Sequence, residues 1–187
     1  MAYLNRNDFL GIGDIANHCD LNKLSIAINE ASEFDLDELF CGFWSDILDN
    51  WDSEDEEWIN LLNGGEYEGC NGTRNHKGIK RIWAYYAYSR YVILNGFNDT
   101  PNGMVQKTNN FSIQTPLKEL QAYADKYRNM GKLSFEKTQA YLCNAKDFFV
   151  NFNDYKCAPC GCVGECNKSK TNTKGYGLRS NIVKKKI

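Results

Sequence analysis

The sequence predicts a mainly α fold: a helical bundle with one very long helix near its C-terminal end, a short β-hairpin or extended-loop insertion, and an extended C-terminal arm. Three observations carry this expectation. Apolar residues recur three and four apart over long stretches, the signature of helices with one buried face. Only three prolines occur in 187 residues, which suits uninterrupted helices better than a turn-rich sandwich. The strongest turn signals fall in two places, around Gly64-Gly65 and at Asn98–Gly103.

Taken in order, residues 1–20 read as an extended or loosely turned lead-in, because Gly11 and Gly13 break any helix. Asp20 is placed to cap a helix from Leu21, in which Leu24, Ala27, Ile28 and Ala31 share a face. Phe34-Asp35 reads as an interruption. A second helix is expected after it, with Leu36, Leu39, Phe40, Phe43, Trp44, Ile47 and Leu48 as its core stripe. Trp58, Leu61 and Leu62 predict a short helical turn ending at Gly64-Gly65, and the Gly- and Asn-rich stretch to His76 predicts a loop or small hairpin. A third helix is expected from Lys77 to Asn95. Ile79, Ile82, Trp83, Tyr86, Ala87, Arg90, Tyr91 and Leu94 trace its face, and Gly96 ends it.

Residues 98–115 form a long insertion for a helical domain, with a short strand at Met104–Lys107. Pro116 suits the first turn of the final helix, with Thr115 as N-cap and Glu119 in that turn. The rhythm Leu117, Leu120, Ala124, Tyr127, Gly131, Ser134 or Phe135, Thr138, Leu142, Ala145, Phe149, Phe152 then continues. Unbroken, this helix would extend roughly 55 Å, with Gly131 its expected weak point. The third helix is its natural antiparallel partner. Residues 1–155 read as the helical domain and 156–187 as a Cys-rich segment followed by a basic arm.

A formal net charge of −2 conceals a polarised chain. Asp46, Asp49, Asp52, Glu54, Asp55, Glu56 and Glu57 form an acidic stretch, whereas Lys168, Lys170, Lys174, Arg179, Lys184, Lys185 and Lys186 follow the last acid, Glu165. Solvated surface is the plain reading of both. The basic end is also suited to dock on an acidic partner or on nucleic acid. No basic-then-apolar leader and no run of about 18 apolar residues is present, so no secretion signal or membrane span is expected. Synthesis in a cytosol, where thiols stay reduced, is the corresponding expectation.

Cys157, Cys160, Cys162 and Cys166 give the sharpest chemical signal. Four thiolates within ten residues, turned by Pro159 and two glycines, can wrap a tetrahedral zinc in a structural site. Unmodified thiols and opportunistic disulfides are the alternatives, since a second half-site at finger spacing is missing. Cys41 and Cys143 are expected as small buried hydrophobes. His18 and His76 are lone loop or boundary residues, and no nucleophile elbow accompanies either. The acidic run lacks the apolar-shielded pairing that acid–base chemistry needs. No catalytic residue and no cofactor beyond that zinc is therefore expected, and the chain does not read as an enzyme. Tyr176 beside the tail lysines permits salt-sensitive, sequence-blind nucleic-acid binding.

The order of landmarks carries a resemblance. Tyr3-Leu4-Asn5 leads in, and Leu61-Leu62-Asn63-Gly64-Gly65-Glu66-Tyr67 follows the first helices. His76-Lys77-Gly78-Ile79-Lys80-Arg81 then opens a tyrosine-rich helix through Tyr85–Tyr91. Asn98–Lys107 and the long helix ending near Phe148-Phe149-Asn151-Phe152 complete the series. This order resembles the head-completion, or adaptor, ring proteins (head-to-tail connectors) of tailed phages, most of all those of crAss-like phages. The similarity covers residues 3–155, and the Cys-rich segment departs from the pattern. The resemblance implies a homo-oligomer closing as a twelve-fold ring beneath the phage portal protein, within the virion neck and assembled in the host cytoplasm. Other neck or tail ring proteins would be neighbours, and packaged DNA would pass the channel without sequence-specific binding. It also implies that Tyr176, Leu178, Arg179, Ile182, Lys184, Lys185 and Lys186 dock on the portal or on a neighbour. Thr100, Pro101, Asn102, Gly103, Met104 and Val105 would form a loop contacting the next ring. The competing expectation is a small zinc-stabilised adaptor that binds nucleic acid through its tail.

Overall fold

A central helix, α5 (Gly78–Gly96), is buried along most of its length. Its buried residues include Ile79, Ile82, Trp83, Tyr86, Ala87, Tyr88 and Tyr91, which point to more than one side. A helix apolar on several sides must be covered on each of them. In this computed structural model, which describes residues 3–13, 15, 21–69, 72–101, 103–106 and 115–154, two other helices supply much of that cover. One is α1 (Leu21–Glu30) and the other α6 (Leu117–Asn144). α6 runs antiparallel to α5: Gly96 meets Leu120, Tyr88 meets Tyr127, Tyr86 meets Gly131, and His76 at the other end meets Tyr141.

Between α1 and α5 the chain forms α2 (Asp37–Phe40), α3 (Phe43–Asp49), α4 (Glu56–Asn63) and a first hairpin of β1 (Gly65–Gly69) and β2 (Gly72–His76). A second hairpin, β3 (Phe97–Thr100) and β4 (Gly103–Gln106), follows α5, and α7 (Val150–Asp154) follows α6. Both hairpins are antiparallel pairs, with Gly65 opposite His76 and Phe97 opposite Gln106.

Aromatic rings fill the core. Trp83 of α5 packs edge-on to Trp44 at 5.2 Å and Trp51 at 5.4 Å, and lies 5.7 Å from Tyr3. Its indole nitrogen donates to the Ile28 carbonyl at 2.9 Å, so α1 is held by a hydrogen bond as well as by burial. A second aromatic group joins Phe43 and Trp58 to Phe149 and Phe152. It fixes α7 against α3 and α4. Where α4 runs into the first hairpin, two backbones cross closely. Gly64 has φ +87 and Gly78 φ +74, and a Cβ on Gly78 would lie 2.3 Å from the Gly64 nitrogen. Only glycine fits both requirements.

The structure corrects several expectations. Phe34-Asp35 is no interruption: α1 runs through a π-helical stretch, Ala31–Leu36, straight into α2, with the Asp37 amide donating to the Ser32 carbonyl. The break comes later, at Cys41, whose φ of +54 lies in the left-handed region. The stripe read as one helix is therefore divided between α2 and α3. The long helix stops at Asn144 and spans about 42 Å at 1.5 Å per residue. A turn at Ala145–Phe149 then redirects the chain, and Phe149 and Phe152 bury against Phe43. α6 starts one residue later than expected, with Pro116 as its N-cap and no capping side chain. It passes through Gly131 without a break. Glycine is needed there because a Cβ would lie 2.7 Å from the Tyr86 ring. Cys41 and Cys143 are half-buried and disulfide-bonded rather than buried thiols. Asp20 and residues 155–187 lie outside the described residues.

Candidate functional site

The expected inter-ring loop is the tip of the second hairpin. Thr100 and Gly103 pair across it, the Thr100 hydroxyl donates to the Gly103 carbonyl at 2.7 Å, and Gly103 takes φ +107. Gly103 takes that φ at no steric cost, and Pro101 pre-sets the φ that the first central position of a turn requires. Pro101 and Val105 are exposed. Asn102 and the side chain of Met104 lie outside the described residues.

The hairpin is anchored at its base. The Lys23 ammonium, reaching from α1, donates to the Leu94 carbonyl at 3.0 Å, to the Phe97 carbonyl and to Asn98 Oδ1 at 3.2 Å. Carbonyls at a helix C-terminus lack intrahelical partners and carry partial negative charge, so a lysine there satisfies both. Sequence reading missed Lys23, because one lysine on the polar side of a helix carries no spacing signal.

A second polar centre lies where the π-helical stretch meets α5 and α6. Arg90 Nε donates to Asp35 Oδ2 at 2.6 Å, and its NH1 reaches Glu30 at 3.3 Å. Arg128 of α6 approaches the other Asp35 oxygen at 3.6 Å. Arg90, read from spacing as part of the apolar face, instead carries the charge that ties α1 to α5. Asp35 is the least exposed member of this group, so its pairing matters most.

Tyrosines line the α5–α6 seam. Tyr88 lies 4.7 Å from Tyr127, and the Tyr123 and Tyr127 hydroxyls are 3.1 Å apart. Burial first, then neighbouring tyrosines, raise Tyr88 above the ordinary phenol range, and burial with the Tyr123 hydrogen bond pushes Tyr127 up to about 12. These phenols stay protonated at neutral pH. They pack and hydrogen-bond, and none is poised as a base or nucleophile. Close by, Tyr91, Val92, Leu120 and Glu119 line an open cavity of mixed polar and apolar character, about 470 Å³ in volume.

His76, expected in a loop or at a boundary, closes β2 with only 3% of its surface exposed. It stacks on Tyr141 at 4.3 Å, and neither ring nitrogen has a hydrogen-bond partner among the described residues. Burial lowers its pKa to about 4, so the ring is neutral. Among the described residues no group of three or more His, Cys, Asp or Glu is arranged to hold a metal. The tail docking residues Tyr176–Lys186 and the proposed zinc ligands Cys157, Cys160, Cys162 and Cys166 lie outside the described residues.

The acidic stretch occupies the outer side of α3, the turn after it and the first turn of α4. Asn151 of α7 donates to Asp46 at 2.9 Å, tying this acidic surface to the last described helix. Residues 43–163 match the model of DUF6712, a family of unknown function. The chain belongs to the DUF6712 family. The matched range opens at Phe43, just past the Cys41 break, and runs through both hairpins, α5, α6 and α7 to include Cys157, Cys160 and Cys162. The DUF6712 frame thus contains the hairpin tip and the whole acidic stretch, whereas α1 and its Lys23 lie before it. No curated protein and no solved structure matches the chain. No helix among the described residues is long and apolar enough to cross a membrane.

Proposed function

We propose that this DUF6712 member is a structural virion subunit, a head-to-tail connector that assembles as a homo-oligomeric ring beneath a phage portal and forms part of the genome-exit channel. The observation that carries this reading is that large apolar side chains stay exposed on several elements of the body. Ile26 of α1 and Phe34 of the π-helical stretch are about half exposed, and Tyr123, Met130 and Leu133 on α6 are exposed as well. A cyclic ring requires two unlike patches on each subunit, so that one copy's surface meets the other surface of the next. Aromatic and methionine side chains are favoured in the buried centres of such interfaces.

In this reading the anchored hairpin tip, Thr100–Val105, meets an adjacent ring, and the basic arm reaches the portal. A rigid base suits that role. Lys23 fixes the hairpin to two helices, so a contact at the tip costs little ordering entropy. The role requires no catalytic group. Native mass spectrometry of the purified chain, alone and mixed with its portal, tests it. A multiple-copy assembly with the portal is the expected species. A chain that stays monomeric at tens of micromolar and ignores the portal removes the reading.

A further inference from the structure

The acidic face described above also carries large apolar side chains that stay exposed. Ile59 on α4 is 45% exposed, Phe148 42% and Val150 54%. Phe148 rests edge-on to Trp58, so it belongs to the same end of the molecule as α4 and α7. Asp46 is bonded to Asn151 of α7, and the stretch from Asp46 to Glu57, which runs into α4, holds seven acids and no lysine or arginine; Lys146, in the turn before Phe148, is a cation beside this end.

We infer that in the free protein this face is the docking site for the chain's own segment Tyr176–Ile187. Three features fix the occupant. The segment has the opposite charge, with Arg179, Lys184, Lys185 and Lys186 and no acid. It also interleaves those charges with Tyr176, Leu178, Ile182, Val183 and Ile187, so it offers apolar side chains to Ile59, Phe148 and Val150 as well as cations to the rim. Finally, the chain leaves the described body at Asp154 in α7, the helix bonded to Asp46. The 21 residues between Asp154 and Tyr176 are length enough to return to α4, since a random chain of that length spans roughly 25 Å. Such a tether holds the segment at a local concentration on the order of millimolar, far above that of a second copy in dilute solution. Docking within one chain therefore outcompetes exchange between chains. The inference does not rest on the ring reading, because it concerns the chain alone.

The test uses the full chain at low micromolar concentration, mixed from ¹⁴N- and ¹⁵N-labelled batches. A carbodiimide joins lysine amines to carboxylates in direct contact, and the joined peptides are read by mass spectrometry. The expected result is coupling of Lys184–Lys186 to Glu54–Glu57 in peptides of uniform isotope. Ile59→Ser and Ile182→Ser add no charge and leave every reacting group in place, and should each lower the yield about fivefold, by loss of apolar contact alone. Leu21→Ser, on the exposed side of α1, should leave the yield unchanged. The inference is overturned by absent coupling, by coupling only in mixed-isotope peptides, or by an equal loss in the Leu21 variant.

Discussion

Replacing His76 by phenylalanine isolates a buried titration that the fold tolerates only in its neutral form. The ring stacks on Tyr141 and is almost fully enclosed, and neither nitrogen finds a partner among the described residues. Burial holds its folded pKa at about 4, against about 6.5 in an unfolded chain. The sign follows from that direction. A base whose pKa falls on folding leaves stability intact above pH 6.5, and stability is lost as the pH falls from 6.5 towards 4. The loss is about 2 kcal/mol at pH 5 and about 3 kcal/mol at pH 4. Phenylalanine keeps the stack, removes the titration and removes two unpaired buried nitrogens. His76→Phe should therefore be as stable as the parent at pH 7.5, or more stable by about 1 kcal/mol. Urea unfolding followed by tryptophan fluorescence at pH 7.5, 6, 5 and 4 measures this. Subtracting the variant's curve cancels the carboxylates common to both. Parallel pH profiles, or a variant weaker than the parent by more than about 2 kcal/mol at pH 7.5, would refute the reasoning, the latter by showing that the nitrogens are paired.

Three further outcomes follow from single contacts. Gly78→Ala places a Cβ against the backbone of Gly64 and Leu62 at a left-handed φ, so thermal unfolding should show a loss of about 3 kcal/mol or more. Arg90→Met leaves Asp35, a largely enclosed carboxylate, with the more exposed Arg128 at 3.6 Å and without its shortest ion pair, and should cost about 2–3 kcal/mol in denaturant unfolding. Asp35→Asn, which keeps a hydrogen-bond acceptor, should cost less. Lys23→Ala should change global stability by only about 1 kcal/mol yet speed hydrogen exchange at Phe97 and the paired strand residues, because it frees the base of the hairpin.

The legible part of this fold is what hydrophobic spacing and glycine encode. α5 was expected one residue from its true ends, because apolar side chains recur along it and Gly96 follows. The path of α6 as far as Asn144, and its antiparallel packing on α5, were read from the same rhythm. The first hairpin was one of two readings of its Gly- and Asn-rich stretch. The rest depended on information that spacing does not carry. A π-helical turn shifts bonding from i+4 to i+5 without disturbing the apolar stripe, so Phe34-Asp35 looked like a break. The stripe also continued across Cys41, hiding the break that exists. Phe149 and Phe152 fit a longer α6 in register, and only their packing on Phe43 shows that the chain has turned. At the candidate sites, the hairpin tip was legible from Pro-Asn-Gly. Lys23 and the burial of His76 were not, because each depends on a partner far away in sequence.

The proposed ring role is tested most directly by counting this polypeptide in purified virions, using isotope-labelled peptides from residues 43–154 as standards. The connector reading predicts about a dozen copies per particle, in fixed ratio to the portal, as expected for a closed ring. Its absence from particles, with the chain present only as a soluble cellular protein, would contradict that reading.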